Sequence, residues 1–200
     1  MRSVYNTTEI AVISCIIHNK INQDGVSPDN CMQSFTLIRK LDKLPFPPDF
    51  QAKIRMKRDS NIQAFDSERP MLEAFITKLH KIDPDLLIAH NLCAGMIEVL
   101  LSRIQYLKVP HWSRIGRFKR TTIPNRKTDS TGVSFGGSFW IPRLVSCGRL
   151  LVDTFLTSKE LIRETNYDLS HLAKVQLKKD RSDCDEEQVP RFYDSTSHLL

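Results

Sequence analysis

The sequence predicts an α/β domain in which a mixed β-sheet is flanked by helices. Three observations carry that reading. Residues 9–57 are dominated by strand-length runs rich in β-branched residues, whereas residues 66–178 alternate helical periodicity with short apolar runs. Between the helical stretches, residues 83–104 (DPDLLIAHNLCAGMIEVLLSRI) read as a turn, a buried strand, a polar tip and a helix. In that stretch the apolar run 86–89 breaks at His90-Asn91, and Met96, Val99, Leu100 and Ile104 then recur at helical spacing with Arg103 on the other face. In open α/β sheets, ligands and catalytic groups gather at the carboxyl ends of strands, so residues 90–98 are the first place to look for chemistry.

Each element follows from local pattern. Residues 9–18 (EIAVISCIIH) are almost wholly apolar and predict a central strand. Residues 19–30 are polar with Gly25 and Pro28, a loop, and residues 32–39 (MQSFTLIR) alternate, which gives a hairpin. Three prolines make residues 44–50 an extended connector, and residues 53–57 (KIRMK) alternate like an edge strand. Asp66 or Ser67 can cap a helix that tolerates Pro70 in its first turn and carries Met71, Leu72, Phe75, Ile76 and Leu79 as its stripe. Residues 108–127 form a basic hairpin or loop, and residues 130–138 (STGVSFGGS) a Gly/Ser-rich loop. Residues 149–155 (RLLVDTF) are a strand ending at Asp153; residues 159–165 and 167–178 are short helices, and residues 179–200 an irregular tail.

The 200 residues, 40% hydrophobic and 26% charged, suffice for one sizeable core. A net charge of +6 admits an anionic partner such as nucleic acid, and equally a solvated surface with a basic excess. Cys15, Cys31, Cys93, Cys147 and Cys184 are odd in number and form no Cys-x-x-Cys pair, which argues against a disulfide framework or structural zinc and for a reducing compartment. No signal-peptide core and no run of membrane-spanning length occurs, so a soluble intracellular protein is expected.

Few residues present themselves for catalysis. Asp83 and Asp85 could pair on a metal, but Asp-Pro-Asp before a strand is ordinary turn chemistry. Asp153 is better placed, although one acid does not hold Mg²⁺ for phosphoryl chemistry. The acidic run at 180–187 lacks calcium-loop spacing, the histidines do not cluster, and neither a nucleophile elbow nor a phosphate-binding glycine loop is found. The basic stretch is the stronger signal. Lys108, Arg114, Arg117, Lys119, Arg120, Arg126 and Lys127 occur with no acid between Glu98 and Asp129, and Trp112 and Phe118 lie among them. That mixture suits phosphate neutralisation with base or sugar stacking. Alternatively, Trp112 and Ile115 anchor a surface loop whose charges face water.

The runs DPDLLIAHN, EVLLSRI and PHWSRIGRFKR, together with CGRLLVDTFLTSKELIRETNYDLSHLAKVQLKK, resemble the exonuclease-like domain of B-family DNA polymerases, in particular the alpha-type branch of eukaryotes. The likeness runs from about residue 6 to the C-terminus and is weak over 19–69. It implies an RNase H-like (DnaQ-type 3′–5′ exonuclease) fold with a mixed five-stranded sheet flanked by helices. Proofreading members hydrolyse phosphodiesters there with two metals held by four carboxylates in three motifs. Carried over residue by residue, Arg2 falls where the first motif has its glutamate. The second motif, Asn followed five residues later by Asp, reads Asn91 and Met96. Glu98 is displaced roughly 200° around the helix from the Met96 position. The third motif falls past Leu200.

Arginine and methionine are poor substitutes for carboxylates toward a hard cation. The resemblance therefore implies an exonuclease-like domain over residues 1–200 without catalytic residues or cofactor, a piece of a larger replicative DNA polymerase. Within it, residues 1–65 supply strands and connectors, 66–178 the helix/strand core and 179–200 the tail. It further implies a nuclear parent using Mg²⁺ in its own polymerase site. Its partners would be template–primer DNA (met here by Lys108, Arg114, Arg117, Lys119 and Arg120), the other polymerase domains, primase and accessory subunits, and no membrane. Two other readings stay open: an active metal-dependent nuclease using Asp85, Glu98 and Asp153, and a stand-alone nucleic-acid-binding module.

Overall fold

In chain order the elements are β1 (Val12–His18), β2 (Met32–Arg39), α1 (Phe50–Met56), β3 (Asn61–Phe65), α2 (Glu68–Ile82) and β4 (Leu86–Ala89). A π-turn (Leu92–Met96) leads into α3 (Ile97–Tyr106), and a 3₁₀ turn (Trp112–Ile115) precedes α4 (Trp140–Val145). Then come β5 (Leu150–Asp153), α5 (Thr154–Leu161), α6 (Leu169–Leu177) and α7 (Val189–Asp194). The computed structural model describes residues 8–19, 21, 31–41, 44–56, 61–124, 140–183 and 188–194. Arg2, Arg126, Lys127 and the Gly/Ser-rich loop lie outside them. Packing divides the chain into two units, Met1–Phe75 with Asp185–Leu200, and Ile76–Cys184.

The first unit is built on a mixed three-stranded sheet of order β1-β2-β3. β1 and β2 pair antiparallel from Val12↔Ile38 to His18↔Met32, as the hairpin reading expects, and β3 runs parallel to β2. β1 is not the central strand predicted. Among the described residues it stands at the edge of this sheet and half-buries only alternate residues, leaving Ile16 75% exposed. β-Branched richness reports a pleated surface rather than two-sided burial. β2 is the buried strand, with Phe35, Leu37, Ile38 and Arg39 sealed from water.

Of residues 53–57, read as an edge strand, residues 53–56 belong to helix α1 instead, and Lys57 lies outside the described residues. Phe50 and Ile54, four apart on one face, pack with Ile38, Leu41 and Tyr193, while Met56 points outward at 81% exposure. An Asp49–Lys53 ion pair of 2.8 Å spans the first turn. Two apolar residues spaced by two cannot distinguish a helix from a strand. α2 accommodates Pro70 in its first turn as expected, and Asp66, one of the two cap candidates beside Ser67, pairs with Lys40 at 2.6 Å. Glu68, buried, accepts the Ile10 N–H at 3.0 Å.

The tail is not irregular throughout, because α7 forms within it. Tyr193 of α7 is buried, stacks on Phe46 (centroids 5.9 Å apart), and donates its hydroxyl to the Arg39 carbonyl at 2.6 Å. The buried Arg39 guanidinium in turn donates to Glu9 Oε2 (2.7 Å), the Ile10 carbonyl (2.8 Å) and the Lys40 carbonyl (3.1 Å). A buried cation is tolerable only when paired and hydrogen-bonded in this way.

In the second unit β4 and β5 run parallel, from Leu86↔Leu150 to Ala89↔Asp153. α3 buries Ile97, Leu101 and Ile104, a stripe that begins one residue after Met96 because the π-turn shifts the helical phase; Met96 is 57% exposed. Arg103, expected on the outer face, is buried and lies 4.9 Å from the Tyr106 ring centroid. Among the described residues the five strands divide into a group of three and a group of two, so the expected single sheet of five is not joined there. With four residues each, β4 and β5 offer few ladder bonds. α5 starts at Thr154, earlier than the helix expected from residue 159.

Burial pushes the Tyr193 hydroxyl up to about 12, against a smaller opposing effect of the Arg39 charge. Since this exceeds the ordinary value of about 10, the buried hydroxyl contributes stability in full below about pH 10, and that contribution is lost as pH rises through the folded value. Tyr193→Phe should abolish this alkaline dependence and cost about 1–2 kcal/mol at neutral pH, read by denaturant unfolding at a series of pH values.

Candidate functional site

The carboxyl ends of β4 and β5 are tied together by one side chain. Asp153, the last residue of β5, is buried, and its Oδ1 accepts the Asn91 N–H at 2.9 Å and the Phe155 N–H at 3.1 Å. Its Oδ2 accepts the Cys93 N–H at 2.9 Å. One aspartate thus caps α5 and holds the polar tip after β4, using three of the roughly four acceptor positions of a carboxylate. Asn91 adopts a left-handed conformation (φ 56°), and its carbonyl receives the Gly95 and Met96 N–H groups at 3.3 and 3.2 Å, which produces the π-turn. π-Turns of this kind are frequent at functional sites. Beside the latch, His90 Nδ1 lies 3.1 Å from Thr154 Oγ1, and its ring meets Phe155 edge-on. Burial, reinforced by the Asp153 charge, raises the Cys93 thiol, which makes it an inert thiol rather than a nucleophile.

At the amino ends of the same strands, three sequence segments interlock. Asp83, in a left-handed conformation (φ 47°), closes α2 by donating its N–H to the Leu79 carbonyl. Two arginines converge on it. Arg117 donates Nε to Asp83 Oδ1 (3.0 Å), Nη2 to the Asp83 carbonyl (3.1 Å) and Asp85 Oδ1 (2.6 Å), and Nη1 to the Gly148 carbonyl (3.1 Å). Arg149, its side chain fully buried, reaches Asp83 Oδ1 at 2.8 Å, the Ile115 carbonyl at 3.0 Å and the Pro84 carbonyl. Each arginine follows a glycine that lets the two segments touch. A Cβ on Gly116 would sit 2.5 Å from the Val145 carbonyl oxygen, and one on Gly148 (φ +92°) would sit 2.8 Å from Arg117 Cβ. The Arg117 N–H then donates to the Cys147 carbonyl at 2.9 Å.

These facts sort the predicted site residues. Asp85 and Asp153 stand at opposite ends of the parallel pair, roughly 13 Å apart at about 3.3 Å per residue. Glu98 is exposed in the first turn of α3. The trio Asp85, Glu98 and Asp153 is therefore not brought together, and the described residues contain no cluster of three metal-ligating acids, histidines or cysteines. Met96, a thioether, is exposed at the second-motif position. Arg117, expected on nucleic acid, has four of its five N–H donors committed within the protein. Trp112 and Ile115 are buried and anchor the loop, so Trp112 offers no stacking face. Lys108, Arg114 and Lys119 are exposed, and Arg120 is partly buried. Sequence reasoning missed the latch and the clamp. An Asp-Thr step between strand and helix is an N-cap signal that could have found the first, whereas no local pattern pairs Arg117 and Arg149 with Asp83.

The sequence matches the family described as DNA polymerase family B, exonuclease domain, over residues 1–172. It is 59% identical over 199 residues to the DNA polymerase alpha catalytic subunit of Sterkiella nova, covering 100% of this chain and 13% of that protein. The corresponding subunit of Mus musculus is 35% identical over 202 residues, covering 100% of this chain and 13% of its own length. That of Oryza sativa subsp. japonica is 36% identical over 210 residues, covering 98% of this chain and 14% of its own length. The chain thus spans 13–14% of the length of these relatives.

Asp153→Asn should destabilise the chain by about 3 kcal/mol, because an amide nitrogen would face donors that now share a carboxylate; the loss is measurable by denaturant unfolding. The hydrogen bond from Arg117, with that from Arg149 and despite partial desolvation, holds the Asp83 carboxyl below the usual range. Its contribution to stability is full above the unfolded value, about pH 3.9, and is lost as pH falls through the lower folded value. Thermal melting from neutral into acid conditions should show this loss, and Asp83→Asn should flatten it.

Proposed function

The chain belongs to the exonuclease domain of DNA polymerase family B, and from that premise we propose that it is a catalytically silent member acting as a scaffold within a replicative polymerase. The observation that carries the reading is the state of the carboxylates at the β4 and β5 carboxyl ends. The position five residues after Asn91 is Met96, and the nearby acid Asp153 has three of its roughly four acceptor positions taken by backbone N–H groups. Two-metal hydrolysis needs several carboxylates converging on an open cavity. Neither a thioether nor a carboxylate committed to backbone donors meets that need.

In this proposal the chain adopts the RNase H-like arrangement as a single domain, with its five strands in one sheet. The parent adds nucleotides to a primer on a DNA template in the nucleus, with Mg²⁺ at a polymerase site in another part of the protein. The exonuclease-like domain packs against the remaining polymerase domains and borders the DNA through Lys108, Arg114, Lys119 and Arg120. Primase and accessory subunits are partners of the parent. Arg117 drops out of the contact set and serves as the residue that fixes the loop.

The test is incubation of the purified chain with end-labelled single-stranded DNA in Mg²⁺ or Mn²⁺. No shortening of the DNA is expected. Degradation that disappears in both Glu98→Ala and Asp85→Asn would overturn the proposal; degradation that persists in both reports a contaminating nuclease and leaves the chain silent, as proposed.

A further inference from the structure

Phe118 is 60% exposed, directly beyond the clamped Arg117. A solitary exposed phenylalanine is ordinary on a protein surface and needs no function. This one differs in how it is held and in what surrounds it. On the amino side, the loop is fixed by buried Trp112 and Ile115, by the four Arg117 side-chain bonds, and by the Arg117 N–H on the Cys147 carbonyl. The ring also rests over Gly148: a Cβ at that position would come within 3.3 Å of Phe118 Cε2. The fold thus spends a glycine and an arginine on presenting an apolar ring to water.

Its surroundings are basic. Lys119 follows it, Arg114 lies in the 3₁₀ turn four residues before it, and Lys108 precedes that turn, all exposed. Among the described residues none of these three cations has a carboxylate partner. The nearby acids, Asp83 and Asp85, are engaged by Arg117 and Arg149. A pre-positioned ring in a stretch of chain with unpaired cations is a combination that suits single-stranded nucleic acid: the cations follow the phosphates, and the ring stacks on a base whose face is not covered by a neighbour. In a duplex those faces are buried in the stack, so the ring discriminates between the two forms.

We infer that Phe118 is a base-stacking residue for single-stranded nucleic acid, with Lys119, Arg114 and Lys108 supplying phosphate contacts. The inference rests on the proposed nucleic-acid role of this loop and adds to it the strandedness and the residue that reads it. Fluorescence anisotropy of a labelled oligo-dT and of a matched duplex, over a range of salt concentrations, tests it on the whole chain. Phe118→Ala should weaken single-strand binding about tenfold while leaving its salt slope and the duplex affinity unchanged. Phe118→Trp should retain the affinity. Lys119→Ala should instead lower the salt slope by about 0.7. Because the ring is exposed, Phe118→Ala should melt like the parent chain, which separates a lost contact from a lost fold. If the chain binds oligo-dT in a salt-dependent manner and Phe118→Ala binds equally well, the stacking assignment is wrong and the loop's electrostatic role stands. If the unmodified chain binds neither oligonucleotide, both the nucleic-acid reading of the loop and this inference fall.

Discussion

Two guanidinium groups share one carboxylate at the foot of the β4–β5 pair, and much of the second unit is arranged so that they can. Asp83 lies where α2 ends, Arg117 in the loop after the 3₁₀ turn, and Arg149 one residue before β5, so a single anion joins three distant stretches of chain. Opposite charges on the surface contribute little when their side chains are free to wander. Here Arg149 is sealed from solvent and both arginines also hold backbone carbonyls, so the ion pairs come with fixed geometry, although the buried Arg149 Nη2 is left without a hydrogen-bond partner. Removing Asp83 would leave a buried guanidinium short of its counter-charge. The glycines at 116 and 148 follow from the same requirement, since any side chain there would push the two arginine-bearing segments apart.

The upper end of the same strand pair solves a related problem with the opposite sign. There a buried carboxylate is neutralised by main-chain N–H groups alone, in the manner of an N-cap extended to a second segment. The strand pair is therefore fastened at both ends by electrostatics, and its four-residue strands need contribute little ladder energy of their own. This arrangement keeps the geometry of a strand-end site while filling its acid with structural bonds, which suits the proposed role as scaffold.

Residues whose pattern is long and periodic were legible in advance. The hairpin of β1 and β2, the α2 stripe, and the strand–tip–helix of residues 83–104 all emerged from apolar spacing. What failed did so for identifiable reasons. The KIRMK segment has too few apolar positions to fix its period, and only packing of Phe50 and Ile54 selects the helix. Arg103 was assigned to the outer face because charge usually means exposure, yet it is buried. At the candidate site, Asn91, Met96 and Asp153 drew attention from the sequence, and the structure places Asn91 and Asp153 in hydrogen-bond contact at the strand ends. The direction of Arg117 was not readable, because nothing in a linear run of basic residues says which cation turns inward to an aspartate more than thirty positions earlier.

The bond between Tyr193 and the Arg39 carbonyl joins residues 154 apart in sequence. Such separation makes a contact slow to form, because the intervening chain must be ordered or looped before the ends can meet. It also has a consequence for synthesis, which proceeds from the amino end. β1, β2 and β3 leave the ribosome before the Ile76–Cys184 unit, but the aromatic side chain that completes their core arrives only after that whole unit has been made. During that interval Ile38, Leu41 and Phe50 lack one of their covering residues. The part of this chain that is translated first is therefore among the last to be finished.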